Sequence, residues 1–251
     1  MDNESLLKNK IMDAANRSFR QNVYTYTNFL DINEQSVFIQ MQSNLNFVAF
    51  KLYGGSDACE RQMVQFGSYE TLGYEEDFPI TLIKISPLIE KYAESLSHRD
   101  YLGALMNLGI KREMLGDITI KGKDAYVYCV SHIADFITDN LSTIKHTHIQ
   151  CSIVDTSNID CSPVLEDIEV LSASKRIDAA VASLTKLSRS QAVELFRARK
   201  IFINSRQMEN NSYQLKINDV LVIRGTGKFI YQGCGKETKK GRVYLSFKKY
   251  V

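Results

Sequence analysis

Apolar positions along the chain change period several times, and each change marks an element. Leu6, Leu7, Ile11, Ala14, Ala15 and Phe19 recur at three- and four-residue steps, the spacing of one helix face. A second helix is predicted over residues 33–43. Residues 46–53 alternate like a strand and stop at Gly54-Gly55. This much reads as a small N-terminal α+β domain.

Past Pro79 the pattern is a strand at 80–85, helical residues to about 108, and then strands at 118–120 and 125–130 joined by a turn at Gly122-Lys123-Asp124. A helix over 132–144 buries Ile133, Phe136, Ile137 and Leu141, and a strand at 147–154 closes the series. The order β-α-β-β-α-β is that of the split βαβ, ferredoxin-like fold, which RNA-recognition (RRM) domains share. The aromatic motif that stacks bases on an RRM sheet is not evident, so the fold alone does not establish RNA binding. The polar stretch 155–162 before Pro163 reads as a linker. Two helices come next, at 175–184 and 189–199, then strands at 201–203, 220–223 and 243–247. Turns are predicted at Gly225, Gly227, Gly233, Gly235 and Gly241.

Composition narrows the setting. Hydrophobic residues make up 44% and charged residues 24% of the 251, an ordinary globular balance. No apolar run reaches the ~18 residues of a membrane span. The start, Met1-Asp2-Asn3-Glu4, lacks the features of a signal peptide, so a cytoplasmic protein without membrane contact is expected. Cysteines stand at 59, 129, 151, 161 and 234, an odd number without a Cys-x-x-Cys pair; they read as reduced thiols. The net charge of +2 conceals a division. Residues 174–251 hold 17 basic and 5 acidic side chains, and the rest of the chain holds 14 and 24. Such asymmetry points to a nucleic-acid-binding C-terminal segment. The acidic N-terminal part offers a surface for a protein partner.

The basic segment carries the chemistry. Ser188 and Gln191 have the spacing of a helix capping box. Arg189 then falls in a first turn, where its charge opposes the helix dipole and suits an incoming phosphate. Arg176 stands at the preceding helix start, and Arg197 and Lys200 lie towards the end of the second helix.

The succession of an Arg176-x-Asp178 helix start, Leu187-Ser188-Arg189-Ser190-x-Ala192, a strand ending in Asn204 and Asp219-x-Leu221-x-Ile223 resembles the S4 RNA-binding domain. Further matches run along the chain. They include Thr27-Asn28-Phe29-Leu30 to Glu34-Gln35, Gly54-Gly55 with Glu60-Arg61, and His98 to Glu113 with Gly116-Asp117-Ile118. Arg224-Gly225-x-Gly227-Lys228-Phe229 and Thr238-Lys239-Lys240-Gly241-Arg242 complete them. With these motifs the chain resembles the YlmH family. That resemblance implies a bacterial, ribosome-associated, non-enzymatic protein that binds rRNA and tRNA on the large ribosomal subunit during rescue of stalled translation.

The expected architecture is therefore α+β, with an N-terminal domain over 1–78, a ferredoxin-like (RRM-like) domain with linker over 79–168, and an S4 domain over 169–251. The expected RNA-binding residues are Arg176, Ser188, Arg189, Gln191, Arg197, Lys200, Asn204, Arg224, Lys228, Lys239, Lys240 and Arg242. His98, Arg99, Lys111 and Arg112 have two readings: a second RNA surface, or a capped helix with solvated cations beside it. No catalytic residue, metal or cofactor is expected. Lys186 to Ser190 is similar to the Lys-Met-Ser-Lys-Ser loop of class I aminoacyl-tRNA synthetases, but it lies inside the S4-like segment without a His-Ile-Gly-His partner. Gly225-Thr226-Gly227-Lys228 and Gly233-Cys234-Gly235-Lys236 lack the first glycine and the Ser/Thr of a phosphate loop and read as β-turns presenting lysines. His146-x-His148 has no third zinc ligand at useful spacing. Two alternatives remain: an RNA-modifying enzyme with its active site upstream of the basic segment, or an interaction protein linked to cell division.

Overall fold

The computed structural model describes residues 3–155, 165–238 and 241–250. The chain divides into two compact units, Met1–Ser162 and Pro163–Val251. Helices and strands are mixed in both, so the fold class is α+β.

The first unit opens with helix α1 (Asn3–Gln21), strand β1 (Thr25–Tyr26) and helix α2 (Ile32–Met41). Asp31 caps α2: its carboxylate accepts from the Asn33 and Glu34 amides, and Glu34 reaches back to the Asp31 amide. Next come strands β2 (Phe50–Tyr53) and β3 (Met63–Phe66), with one helical turn, α3 (Tyr69–Leu72). The sheet order is β1-β3-β2, and Ile11, Ala15, Phe38, Leu45 and Phe66 form the core against α1 and α2. The strand expected over 46–53 starts only at Phe50, because residues 45–48 turn, with the Val48 amide on the Leu45 carbonyl.

The same unit continues with β4 (Ile80–Pro87), α4 (His98–Asn107), β5 (Leu115–Lys121), β6 (Asp124–Val130), α5 (Ala134–Asn140), β7 (Thr143–Ile144) and β8 (Thr147–Val154). The antiparallel order β5-β6-β4-β8-β7 is ferredoxin-like with one small hairpin added at the edge. The helix expected over 132–144 ends at Asn140. Beyond it Thr143 and Ile144 pair with His148 and Thr147 around Lys145, whose φ of 53° makes the turn.

Period-two alternation sends the two faces of this sheet to different cores. Ile83, Ile85, Val127 and Cys129 meet Tyr101 and Leu105 of α4 and Ile137 of α5. Leu82, Tyr128 and Val130 face the other way, onto Phe29, Cys59 and Met63. The boundary expected at 78/79 therefore runs through a shared interior, not between separate domains.

The second unit begins with β9 (Leu165–Ser172), then α6 (Ile177–Thr185) and α7 (Arg189–Arg197). Strands β10 (Ile201–Ile203), β11 (Arg206–Gln207), β12 (Val220–Ile223), β13 (Gly227–Glu237) and β14 (Val243–Tyr250) complete a sheet ordered β11-β10-β12-β13-β14-β9. Ile177, Val181, Ala192 and Phe196 seat the helices on Ile201, Leu221, Phe229 and Phe247. The start expected at 169 falls inside β9, which pairs with β14 from Leu165 to Ser172. Most of the expected linker, including Pro163, lies outside the described residues. Gly233 to Lys236 were expected as a turn, but they belong to β13, where register shifts against β14 accommodate the glycines as bulges.

Burial fixes the thiol chemistry. It pushes Cys129 up to about 12 and Cys151 up to about 11, whereas Cys234 is exposed. Alkylation of the native protein with iodoacetamide, mapped by peptide mass, should modify Cys234 and spare Cys59 and Cys129; rapid labelling of Cys129 would contradict the packing.

Candidate RNA-binding interface

The two helix starts of the second unit meet at one carboxylate. Asp178, in the first turn of α6, is 2% exposed. Its Oδ1 accepts from Arg176 Nε at 3.1 Å, and its Oδ2 from Arg176 Nη2 at 3.1 Å. From the start of α7, Arg189 Nε and Nη2 donate to Oδ2 at 2.9 and 2.8 Å. The Ala179 amide adds a bond to Oδ1 at 2.9 Å. Burial raises the Asp178 pKa, but bonds and charges from the two arginines outweigh it and hold the carboxyl below its ordinary value. The guanidiniums stay accessible, with side-chain exposures of 34% for Arg176 and 53% for Arg189. Two cations on one buried anion leave one surplus positive charge in fixed geometry. Arg189 thus needs no phosphate to offset the helix dipole, contrary to expectation, because Asp178 already does so.

Ser188 and Gln191 form the predicted capping box. Gln191 Oε1 accepts from the Ser188 amide at 3.0 Å and from its hydroxyl at 2.9 Å. Both are thereby committed to the helix start. Asn204 is committed as well. It sits at φ 50°, donates from Nδ2 to Asp219 at 2.9 Å and accepts from the Val220 amide at 2.9 Å. Buried Asp219 also accepts from the Tyr213 hydroxyl and the Lys216 amide, so this network pins a turn.

The remaining expected cations are spread over the surface. Arg197 pairs with Glu194 at 2.6 Å, both well exposed, a contact of small energetic weight. Arg224 lies over the Phe202 ring and Lys228 over the Tyr250 ring, at 5.6 and 4.4 Å from the centroids. Lys200 and Arg242 are exposed. Lys239 and Lys240 lie outside the described residues. Lys175, Lys186 and Arg199, the last of which the sequence places on the second helix with Arg197 and Lys200, stand outside the expected RNA-binding set, yet all are exposed at the ends of α6 and α7. Lysine and arginine at helix ends were the available signal.

The four residues of the suggested second surface separate. Arg112 turns inward, donating from Nη1 to the Leu115 and Gly116 carbonyls at 2.7 and 3.1 Å. Burial and then repulsion from Arg61 lower it to about 10. Arg61 itself bonds the Phe29 and Leu115 carbonyls at 2.8 and 2.9 Å, while Asp117 accepts from the Glu60 and Arg61 amides. His98 is lowered first by desolvation of its ring, then by Arg112. The motif residues Arg61, Arg112 and Asp117 are therefore engaged in joining the first and middle segments. Arg99 and Lys111 point to solvent. Asp100 caps α4 through the Ser97 amide and hydroxyl, at 2.8 and 2.7 Å.

Residues 74–158 match the family model described as "Putative RNA-binding domain in YlmH". A Bacillus subtilis protein, "Ribosome-associated protein quality control protein P2", is 29% identical over 230 residues, covering 89% of this chain and 86% of its own length. In both comparisons the chain is similar to proteins of the YlmH family. A solved structure, the cell division protein YlmH from Streptococcus pneumoniae, superposes with a TM-score of 0.50 at 20% identity, over 64% of this chain and 96% of that one. This likeness to a YlmH structure bears on the fold. Among the described residues no helix is long and apolar enough to cross a membrane.

Proposed function

We propose that the protein binds structured RNA on the ribosome without catalysing a reaction, and that it acts on the large subunit when translation stalls. The observation that carries this reading is the pair of accessible arginines, Arg176 and Arg189, clamped by buried Asp178 at two helix starts within a strongly basic unit. Fixed guanidiniums meet phosphates bidentately at little entropic cost, and shape rather than base sequence then selects the RNA. The match to an RNA-binding domain and the ribosome-associated name of the Bacillus subtilis relative support the setting.

Sedimentation through a sucrose gradient at low salt tests it. The wild-type protein should travel with large subunits, and Arg189→Glu should reduce the bound fraction by roughly tenfold or more, as expected for reversing a phosphate contact. A protein that stays at the top of the gradient, with no difference between wild type and Arg189→Glu, would defeat the proposal.

A further inference from the structure

In an RRM, bases stack on the sheet face turned away from the helices. Here the part of that face around β4 and β6 is covered. Leu82, Tyr128 and Val130 on it are packed under Phe29, Cys59 and Met63, and Tyr126 and Phe78 pack against the same cluster. Farther along the face, Lys84 is held by Asp124 at 2.7 Å. The packed part of the face is thus closed to stacked bases.

A groove of about 490 Å3 lies between α4 and the β7 hairpin, with Arg99, Gly103, Asn107, Asn140, Thr143 and Lys145 along it. All six residues are exposed. Arg99 stands in the first turn of α4, where a cation opposes the helix dipole. Unlike Arg189, it has no hydrogen-bonding or ionic partner among the described residues. Lys145 faces it from the hairpin turn, held to Asp100 at 2.8 Å, a bond that uses one of the ammonium's three donors. Asp100 is also occupied by the Ser97 amide and hydroxyl. At Gly103 an added Cβ would meet nothing within 4 Å, so the floor of the groove is open.

We propose that this groove is a second RNA site, which takes the phosphate–sugar backbone with Arg99 and Lys145 on phosphates and the short polar side chains on ribose hydroxyls. The lining favours a backbone over a base, since beside half-buried Ala104 and Leu108 and the Asp100 carboxylate, which Lys145 neutralises, it offers cations, amides and hydroxyls but no aromatic ring. It also favours RNA over an apolar peptide, because of the apolar residues along it Leu141 and Ile144 are buried in the core and Ala104 and Leu108 are half-buried. This inference rests on the RNA-binding reading given above.

The test uses full-length protein, purified large ribosomal subunits, and variants Arg99→Ala and Gly103→Gln. Gly103→Gln fills the groove while improving helix propensity, so its fold should hold. It should weaken binding about five- to tenfold at an unchanged or higher unfolding temperature. Arg99→Ala should lower the slope of log affinity against log salt by about one. After ultraviolet cross-linking, nucleotide adducts should appear on peptides covering residues 99–111 and 141–150. If wild-type adducts are confined to residues 165–250 and Gly103→Gln binds normally, the groove is not an RNA site, while the wider function stands. If Lys145 cross-links to a ribosomal protein instead of a nucleotide, the occupant is protein and the inference falls. If wild type fails to bind subunits at all, the wider function falls, and the groove with it.

Discussion

Asp178→Ala is expected to weaken binding to large subunits by about tenfold and to lower the unfolding temperature of the C-terminal unit by about 10 °C. The two effects have one cause. Removing one partner of a buried ion pair costs roughly 3–5 kcal/mol. Here the orphaned guanidiniums are 34% and 53% exposed and can turn to water, which brings the cost to about 2 kcal/mol. For a unit of this size each kcal/mol shifts the midpoint by roughly 4–8 °C. The binding loss comes from releasing Arg176 and Arg189 into many rotamers, which makes them pay side-chain entropy on contact with phosphate. Calorimetry and a salt titration of affinity separate the two. A melting shift without any change in affinity would show that these arginines do not touch the RNA. The pH dependence comes from the same carboxylate. Its folded pKa is depressed, so its stabilisation is complete above the unfolded value of about 3.9 and fades as pH falls through the lower folded value.

Gly54→Ala is expected to destabilise the first unit by about 3 kcal/mol or more. A Cβ there would overlap the Arg61 carbonyl oxygen and the Cys59 Cβ. The backbone oxygen cannot rotate aside, so the 54–61 loop must move and Arg61 with it. Gly55→Ala should be comparably severe, because φ is +104° and the new methyl would meet the Tyr128 ring. Hydrogen exchange read by mass spectrometry should show early loss of protection in β3 and β6. Wild-type protection in Gly54→Ala would mean that this loop is looser than its contacts require.

The parts of this structure legible in the sequence are those written in short-range pattern. The strands around Ile83, Val127 and Ile149 declared themselves by alternation, and Ser188 with Gln191 announced a helix start from three residues apart. Strand β9 was hidden because it is an edge: in Leu-Glu-Asp-Ile-Glu-Val-Leu-Ser the apolar residues that pack inward are Ile168 and Val170 alone, leaving a segment rich in carboxylates. Strand β13 was hidden by glycines that serve bulges as readily as turns. The candidate site failed in the same way. Arg189 was singled out by its unfavourable place at a helix start, yet the anion answering it sits eleven residues earlier. Arg61 and Asp117 are 56 residues apart, and no local signal says that one receives the other's amide. Charge at a helix terminus located the unusual residues; only three-dimensional contact told which, like Arg189, are already balanced and which, like Arg99, are not.

The shared interior beneath Leu82, Tyr128 and Val130 also governs how this chain can be divided. A fragment cut at residue 79 would turn that apolar patch to water and lose the arginine that ties Phe29 to Leu115. The first and middle segments are in that sense a single heritable piece. A gene rearrangement that carried off the RRM-like strands alone would carry off half of an interior. Recombination can therefore move that piece only whole.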